Sequence, residues 1–282
     1  YASEFRYRNA VIEPNTLVIA MSQSGETADT LAGLRESVRR GATPLGIVNV
    51  VGASIARECG RGVYIHAGPE FGVAATKSFT NQVIVLLMIA IHFGRKRGMS
   101  IRQGIELLNS LEILPTLASR MLEQSAEIRD IVSEYVDAEH FLYIGRSLEY
   151  PIALEGALKL KEVSYIHAEG LPAAELKQGP IALITPEMPI VVIATQSFIL
   201  DKVASNVQEI RARGGKVLVV ASEEDTTLDP LADHVIKVPS TNDITSPILA
   251  TIPTQLIAYH LAVLRGCDVD QPRNLAKSVT VE

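Results

Sequence analysis

Three hydroxyl side chains and an amide fall within six consecutive residues, Ser22-Gln23-Ser24-Gly25-Glu26-Thr27. Each hydroxyl can donate a hydrogen bond and Gln23 adds an N–H group, so together they can surround a small oxyanion. Gly25 lets the backbone come close to a ligand. The stretch has no Lys and does not fit G-x-x-x-x-G-K-[ST], which excludes a nucleotide P-loop. A neutral, hydroxyl-lined cradle suits a phosphomonoester. The competing reading is a plain helix cap, Ser or Thr with Glu26 in the first turn. Four polar side chains converging on one turn favour the phosphate.

A second constellation is Glu155, Lys159 and Glu162. Spacings of four and three place them on one stripe of a helix. Their neighbours Leu154, Ala157, Leu158, Leu160 and Val163 are apolar, so much of that helix is buried. Carboxylates and an ammonium on a mostly buried helix have tunable pKa values. Proton transfer beside a carbonyl needs such a set, a base near the carbon and a cation near the oxygen. The alternative is a Glu155–Lys159 salt bridge on a solvated face. The segment His167 to Pro180 reads as a loop rich in Ala, Gly and Pro that carries Glu169, Glu175, Lys177 and Gln178. The last residues, Asp268 to Glu282, are polar and then end in a short β-like run. Their mixed, specific chemistry suits a lid.

The elements that must hold these groups follow from the apolar pattern. Thr16–Met21 reads as a buried strand and Ala28–Arg40 as a helix ending at Gly41, so the hydroxyl loop joins a strand's carboxyl end to a helix N-terminus. Ligands bind there in open parallel sheets, helped by unpaired backbone N–H groups. The pattern then recurs. Gln23 and Gln196, Gly41 and Gly214, and Gln82 and Gln255 are each 173 residues apart. We read two copies of one α/β unit, with strands alternating with helices and hence parallel sheets covered on both faces.

Copy one spans residues 1–99, with further strands at Thr43–Val50 and Gly62–His66 and helices near Ser54–Glu58 and Thr76–Arg95. A helical linker over 100–136 is broken by Pro115. Copy two spans 137–266, with strands at Phe141–Arg146, Ile190–Ala194, Lys216–Ala221 and Val235–Val238. Its helices are Pro151–Ile166, Ser197–Arg213 and Ser246–Arg265. A tail covers 267–282. Copy one has no counterpart of residues 139 to 172, so the chain as given is expected to lack the first strand and helix of its first unit.

Composition narrows the class. The chain has 282 residues, 47% hydrophobic, with a formal net charge of −6. That size allows two ordinary domains, and the charge balance excludes the basic footprint of a nucleic-acid binder. Cys59 and Cys267 form no metal or disulfide spacing, which makes a reduced, cytoplasmic setting the default. The longest apolar run, Val83 to Ile91, is too short to span a bilayer, and no signal peptide is present.

Three strings carry a resemblance to a known family. They are Ser22-Gln23-Ser24-Gly25-Glu26-Thr27-Ala28-Asp29-Thr30, Ala153-Leu154-Glu155-Gly156-Ala157-Leu158-Lys159-Leu160-Lys161-Glu162, and Asp270-Gln271-Pro272-Arg273-Asn274-Leu275-Ala276-Lys277-Ser278-Val279-Thr280-Val281-Glu282. Together they resemble the isomerase region of the glucosamine-6-phosphate synthase (glutamine–fructose-6-phosphate aminotransferase) family. The serine loop is shared with the wider sugar isomerase (SIS) class.

The resemblance covers essentially the whole chain. It implies two tandem SIS domains of flavodoxin-like topology, with fructose 6-phosphate and glucosamine 6-phosphate as substrate and product. It implies that Ser22, Gln23, Ser24 and Thr27 hold the sugar phosphate. Glu162 would shuttle a proton between C1 and C2, and Lys159 would assist at a hydroxyl. Lys277 would form an imine with the ketose. Val73 and Ala276 would touch substrate through their backbones. Ammonia would come from a glutaminase domain that this sequence does not contain, and the family's shared site implies a homodimer. No metal and no cofactor are implied.

One departure stands out. The family's Glu-Leu-Lys-His-Gly-Pro reads Glu175-Leu176-Lys177-Gln178-Gly179-Pro180 here. A glutamine amide can hydrogen-bond a sugar ring oxygen but cannot exchange a proton near neutral pH. Ring opening would then be slower, use His167 or water, or start from open-chain sugar. The rival readings are a non-catalytic sugar-phosphate sensor built on SIS domains, and an amino-sugar phosphate deaminase or isomerase.

Overall fold

The computed structural model of the chain describes residues 1–280. It divides into two compact units. One comprises residues 1–93 with the C-terminal residues from Asn274, the other residues 94–273. The helical stretch between the two sequence copies thus belongs to the second unit, and the end of the tail to the first.

The first unit is built on three parallel strands in the order β1-β2-β3, Leu17–Ser22, Thr43–Val48 and Gly62–Tyr64. Four helices accompany them: α1 (Ala2–Phe5), α2 (Ala28–Arg39), α3 (Ser54–Cys59) and α4 (Lys77–Lys96), most of which lies in this unit. The sequence reading contained no α1. It packs on α2, where Gly33 leaves room beside Ala2 and Phe5. Helix α2 ends where Gly41 adopts φ +96°, which a glycine takes without strain. One sheet face is buried under α2 and α3 through Ala20, Leu34, Val48, Ile55 and Cys59. The other is buried under α4 through Ile47, Ile65 and Val85, with Ile19, Leu45 and Ile89 packed around them.

The second unit carries five parallel strands: β4 (His140–Gly145), β5 (His167–Pro172), β6 (Ile190–Ala194), β7 (Val217–Ser222) and β8 (His234–Val238). Their order is β5-β4-β6-β7-β8, the doubly wound flavodoxin arrangement. The order of the first sheet matches its last three strands. Helices α5 (Ile101–Glu123), α6 (Ser125–Ser133), α7 (Glu149–Ser164), α8 (Leu200–Arg211) and α9 (Ser246–Leu264) complete the unit. The central strands β6 and β7 are buried on both faces, which is why Ile190–Ala194 and Val217–Ala221 are apolar without alternation.

Several expectations are corrected. His167–Pro172 is a strand, not part of a loop. Its low β-propensity comes from Gly170 and Pro172, but a Cβ at Gly170 would sit 2.7 Å from Leu154 Cα and 2.8 Å from the Ala153 carbonyl oxygen. Glycine is therefore required for α7 to lie against this edge strand. Pro115 does not break the linker helix. Helix α5 runs through it, its face of Leu114, Leu117 and Met121 buried, and tertiary burial offsets the roughly 3 kcal/mol that an internal proline costs. The chain turns instead at Gln124, whose side-chain amide donates to the Lys237 carbonyl at 3.0 Å. Helix α7 starts two residues before Pro151, leaving the proline in the first turn where its missing N–H costs nothing. The stretch Ser197–Ile199 is a 3₁₀ turn ahead of α8. Thr280 and the residues just before it form no strand, and Val281 and Glu282 lie outside the described residues.

By length and composition both α4 and α9 could cross a bilayer, which the run Val83 to Ile91 alone does not suggest. Helix α9 is a core helix of its unit, with 67% of its apolar span buried. Helix α4 places its apolar stripe on the first sheet.

Candidate functional site

In the first unit the hydroxyl loop leaves the carboxyl end of β1 and enters α2. Its conformation is set by its own side chains. The Ser22 hydroxyl accepts from the Gly25 N–H at 3.0 Å and lies 2.9 Å from the Thr27 hydroxyl. The Ser24 hydroxyl accepts from the Glu26 N–H at 3.2 Å. Gly25 sits at φ +71°, and a Cβ there would lie 2.4 Å from the Ala53 Cβ, so no other residue fits. Glu26 is occupied elsewhere: its carboxylate accepts from the Ser54 N–H at 2.7 Å, capping α3, and the Ser54 hydroxyl together with that N–H holds it below the usual carboxylate range. Thr27 is the N-cap residue of α2 by position, but its hydroxyl makes no cap bond to the helix. The plain-cap reading therefore does not hold for Thr27. Beside the loop, Gln23, Asn49, Val50, His66, Gly68, Pro69 and Glu70 line an open cleft of about 420 Å³.

The tail reaches this loop. The Ser278 hydroxyl donates to the Ser24 hydroxyl at 3.0 Å, and the Ala28 N–H, at the α2 N-terminus, donates to the Val279 carbonyl at 3.2 Å. Immediately before these anchors Lys277 donates to the Gly72 carbonyl at 2.7 Å and to the Glu70 carboxylate at 3.1 Å. Ala276 is exposed next to it, and Val73 follows Gly72 in a half-buried bend. Ser22, Gln23, Ser24, Thr27, Val73, Ala276 and Lys277 thus all belong to one unit.

Sequence reasoning missed Glu70. Its side chain is 5% exposed and accepts from the Ser78 hydroxyl at 2.6 Å and the Thr76 N–H at 2.9 Å. Burial alone would raise its pKa. The bonds from Ser78, Thr76 and Lys277 outweigh burial and lower it to about 2. The N-terminus of α4, which begins at Lys77, adds favourable backbone dipoles. The only hint in the sequence is a glutamate followed by a Thr-Lys-Ser helix start, a pattern too common to single out.

In the second unit α7 carries the three charged residues as the spacing predicts. The Lys159 ammonium is 4% exposed, 2.6 Å from a Glu162 oxygen and 3.3 Å from a Glu155 oxygen. Both the salt-bridge and the proton-transfer readings contain this geometry, but the solvated face does not: Glu155 is buried with Lys159, and only Glu162 is partly open, with 22% of its side chain exposed. A close approach fixes the helix, since a Cβ at Gly156 would meet the Tyr143 ring at 2.8 Å. Gln178 is exposed at the end of a 3₁₀ turn, Ala173–Gln178, while its neighbour Lys177 pairs with Glu209 at 2.7 Å. Among the described residues no group of three His, Cys, Asp or Glu side chains is placed to hold a metal ion.

The chain as a whole is similar to known proteins. The family model described as SIS domain matches residues 1–92 and 134–265. A glutamine–fructose-6-phosphate aminotransferase (isomerizing) of Bacteroides thetaiotaomicron is 53% identical over the whole of this chain, which covers 46% of that protein. The Escherichia coli K12 protein of the same name is 48% identical, again over the whole chain and 46% of the relative. The chain therefore spans about half the length of the curated relatives it matches. The solved C-terminal domain of glucosamine-fructose-6-phosphate aminotransferase from Francisella tularensis superposes with a TM-score of 0.91 at 40% identity, over 96% of this chain and 76% of that one. A glucosamine-6-phosphate deaminase from Thermotoga maritima shares the fold, with a TM-score of 0.74 at 24% identity.

Proposed function

The chain belongs to the SIS domain family, and from that premise we propose that it is the sugar-phosphate isomerase region of a glutamine–fructose-6-phosphate aminotransferase. In this reading Ser22, Gln23, Ser24 and Thr27 bind the phosphate of fructose 6-phosphate with neutral donors. The Lys277 amine condenses with the C2 carbonyl, releasing water and forming an imine. Ammonia from a glutaminase domain displaces the lysine. The Glu162 carboxylate takes a proton from C1 and returns it to C2, with Lys159 assisting at a hydroxyl, and glucosamine 6-phosphate results. Val73 and Ala276 offer backbone groups to the sugar, and Gln178 hydrogen-bonds it where relatives of this family pattern carry His. The active form is a homodimer in the cytoplasm.

The observation that carries this reading is the docking of the tail on the hydroxyl loop. Ser278 and Val279 hold Lys277 beside the same loop that is proposed to bind the phosphate. A sensor needs the cradle but has no use for a lysine held there by a buried carboxylate. Only Gln178 favours the sensor, and proton transfer by one group is worth about 10²–10⁴-fold in rate, so its replacement slows ring opening rather than abolishing turnover. The test is a panel of hexose phosphates assayed with and without ammonia, followed by borohydride reduction. Turnover of fructose 6-phosphate and a reduced adduct on Lys277 support the reading. Binding without turnover would favour the sensor, and loss of an amine from amino-sugar phosphates would favour the deaminase.

A further inference from the structure

The second unit contains its own version of the hydroxyl loop. Thr195-Gln196-Ser197 follows β6 as Ser22-Gln23-Ser24 follows β1, at the 173-residue offset. The two loops are occupied differently. In the second, the backbone N–H groups of Thr195 and Gln196 and the Thr195 hydroxyl all donate to one oxygen of Glu149, the Gln196 N–H at 3.0 Å and the hydroxyl at 2.8 Å. The next donors, the N–H and hydroxyl of Ser197, go to the Asp243 carboxylate at 3.0 and 2.7 Å. Glu149 is fully buried, and its second oxygen has no hydrogen-bond partner. In the first unit, among the described residues, no carboxylate is hydrogen-bonded to Ser22 or Ser24. Their recorded bonds are to one another's loop and to Ser278.

A carboxylate buried completely, with one oxygen saturated by three donors and the other bare, is costly to place unless the donors were arranged for an oxyanion. A glutamine amide of the same shape would put an unpaired N–H2 group in the place of the bare oxygen. We infer that Glu149 is the built-in occupant of a second anion cradle: its carboxylate takes the donors that a phosphate ester would use, although Thr195, Gln196 and Ser197 still border a cleft of about 290 Å³, and it fastens the first turn of α7 to the end of β6. The donors at the end of β6 are then taken and not offered to a phosphate ester. Fastening has a direct consequence, because α7 carries Glu155, Lys159 and Glu162. Burial, with Asp243 adding to it, pushes Glu149 up to about 7 against the pull of its Thr195 and Gln196 bonds. The significance of an open first cradle rests on the function proposed above; the plug in the second does not.

Two measurements test the inference, and neither needs turnover. Thermal unfolding of Glu149→Ala should show a midpoint lowered by about 10 °C, as expected for stranding several buried donors in a chain of this size. Sodium formate should restore much of that loss saturably and beyond an equal concentration of sodium chloride, while leaving the wild-type midpoint unchanged. A folded Glu149→Ala protein that formate does not rescue, or an unshifted midpoint, overturns the inference. Should that variant fail to fold, the wild-type protein decides by equilibrium dialysis with inorganic phosphate. One site per chain, lost in Ser22→Ala, supports the plug. Two sites, or one that survives Ser22→Ala, overturn it. Absence of any phosphate site would instead defeat the proposed function, and the second cradle is then judged by thermal unfolding of Glu149→Gln: a midpoint equal to that of the wild type at pH 8 overturns the inference, and a lowered one supports it.

Discussion

Replacing Glu70 with Gln probes the lysine anchor directly. Its carboxylate is 5% exposed and accepts from Ser78, Thr76 and Lys277. Those bonds lower its pKa from 4.5 to about 2, and at about 1.4 kcal/mol per unit this corresponds to about 3 kcal/mol of preference for the ionised form. The folded value lies below the unfolded one, so the stabilisation is complete above pH 4.5 and is lost as pH falls towards 2. The amide is nearly the same size but carries no charge and places an N–H2 group among donors. The variant should therefore lose about 2–3 kcal/mol at pH 7 and converge with the wild type towards pH 2. With no tryptophan in the chain, urea unfolding followed by far-UV circular dichroism at pH 7, 4 and 3 is the suitable assay. Adding Lys277→Met completes a double-mutant cycle. Lys277 is 30% exposed, so its share should be only about 1 kcal/mol, most of the effect belonging to Ser78 and Thr76. Two stability curves that stay parallel from pH 7 to pH 3, or a loss under 0.5 kcal/mol as a rough threshold for a surface change, would refute the assignment of Glu70 as a buried, charge-assisted anchor.

Other outcomes follow from the same geometry. Glu162→Gln should lower C1–C2 proton exchange, read as deuterium wash-in by NMR, by at least about 10²-fold while fructose 6-phosphate affinity changes little; unchanged exchange removes its role. Gly25→Ala forces a Cβ to 2.4 Å from Ala53 at φ +71°, so phosphate affinity measured by calorimetry should fall at least about tenfold; retained affinity would show that the loop tolerates a different backbone. For Glu149 the folded pKa is raised to about 7 from 4.5, so the wild type should lose stability as pH rises through that interval and level off above it. Glu149→Gln should flatten that slope, and chemical unfolding at pH 5 and pH 8 checks it.

Much of the architecture was legible because it rests on burial. Ile190–Ala194 is apolar at every position, and the structure gives those same bounds because the strand is covered on both faces. The 173-residue offset anticipated that β1 and β6, and the loops after them, would correspond. What escaped was decided by contacts distant in sequence. His167–Pro172 looks like a loop because its glycine serves the approach of α7, not the strand. Pro115 looks like a break because its local cost is visible and the burial of Leu114 and Leu117 is not. The stripe Glu155, Lys159, Glu162 needed only helical spacing, whereas Glu70 needed to know that a residue 207 positions later would fold back on it.

The duplicated loops carry the physical point furthest. A strand that ends in hydroxyl-bearing residues and runs into a helix presents backbone and side-chain donors whatever the protein does with them. Buried donors must be met, and the two loops meet them by different means. Around Ser22 the donors are shared among neighbours in the loop and a serine of the tail, partners that are neutral and separable. Around Thr195 they converge on carboxylates held by α7 and by the turn before α9, partners that are charged and built in. A neutral, self-bonded loop can exchange its internal bonds for those of an incoming dianion without leaving a carboxylate stranded beside it. A loop whose donors already go to Glu149 and Asp243 would have to break those bonds first. Descent from a common unit therefore does not entail two equivalent ligand sites.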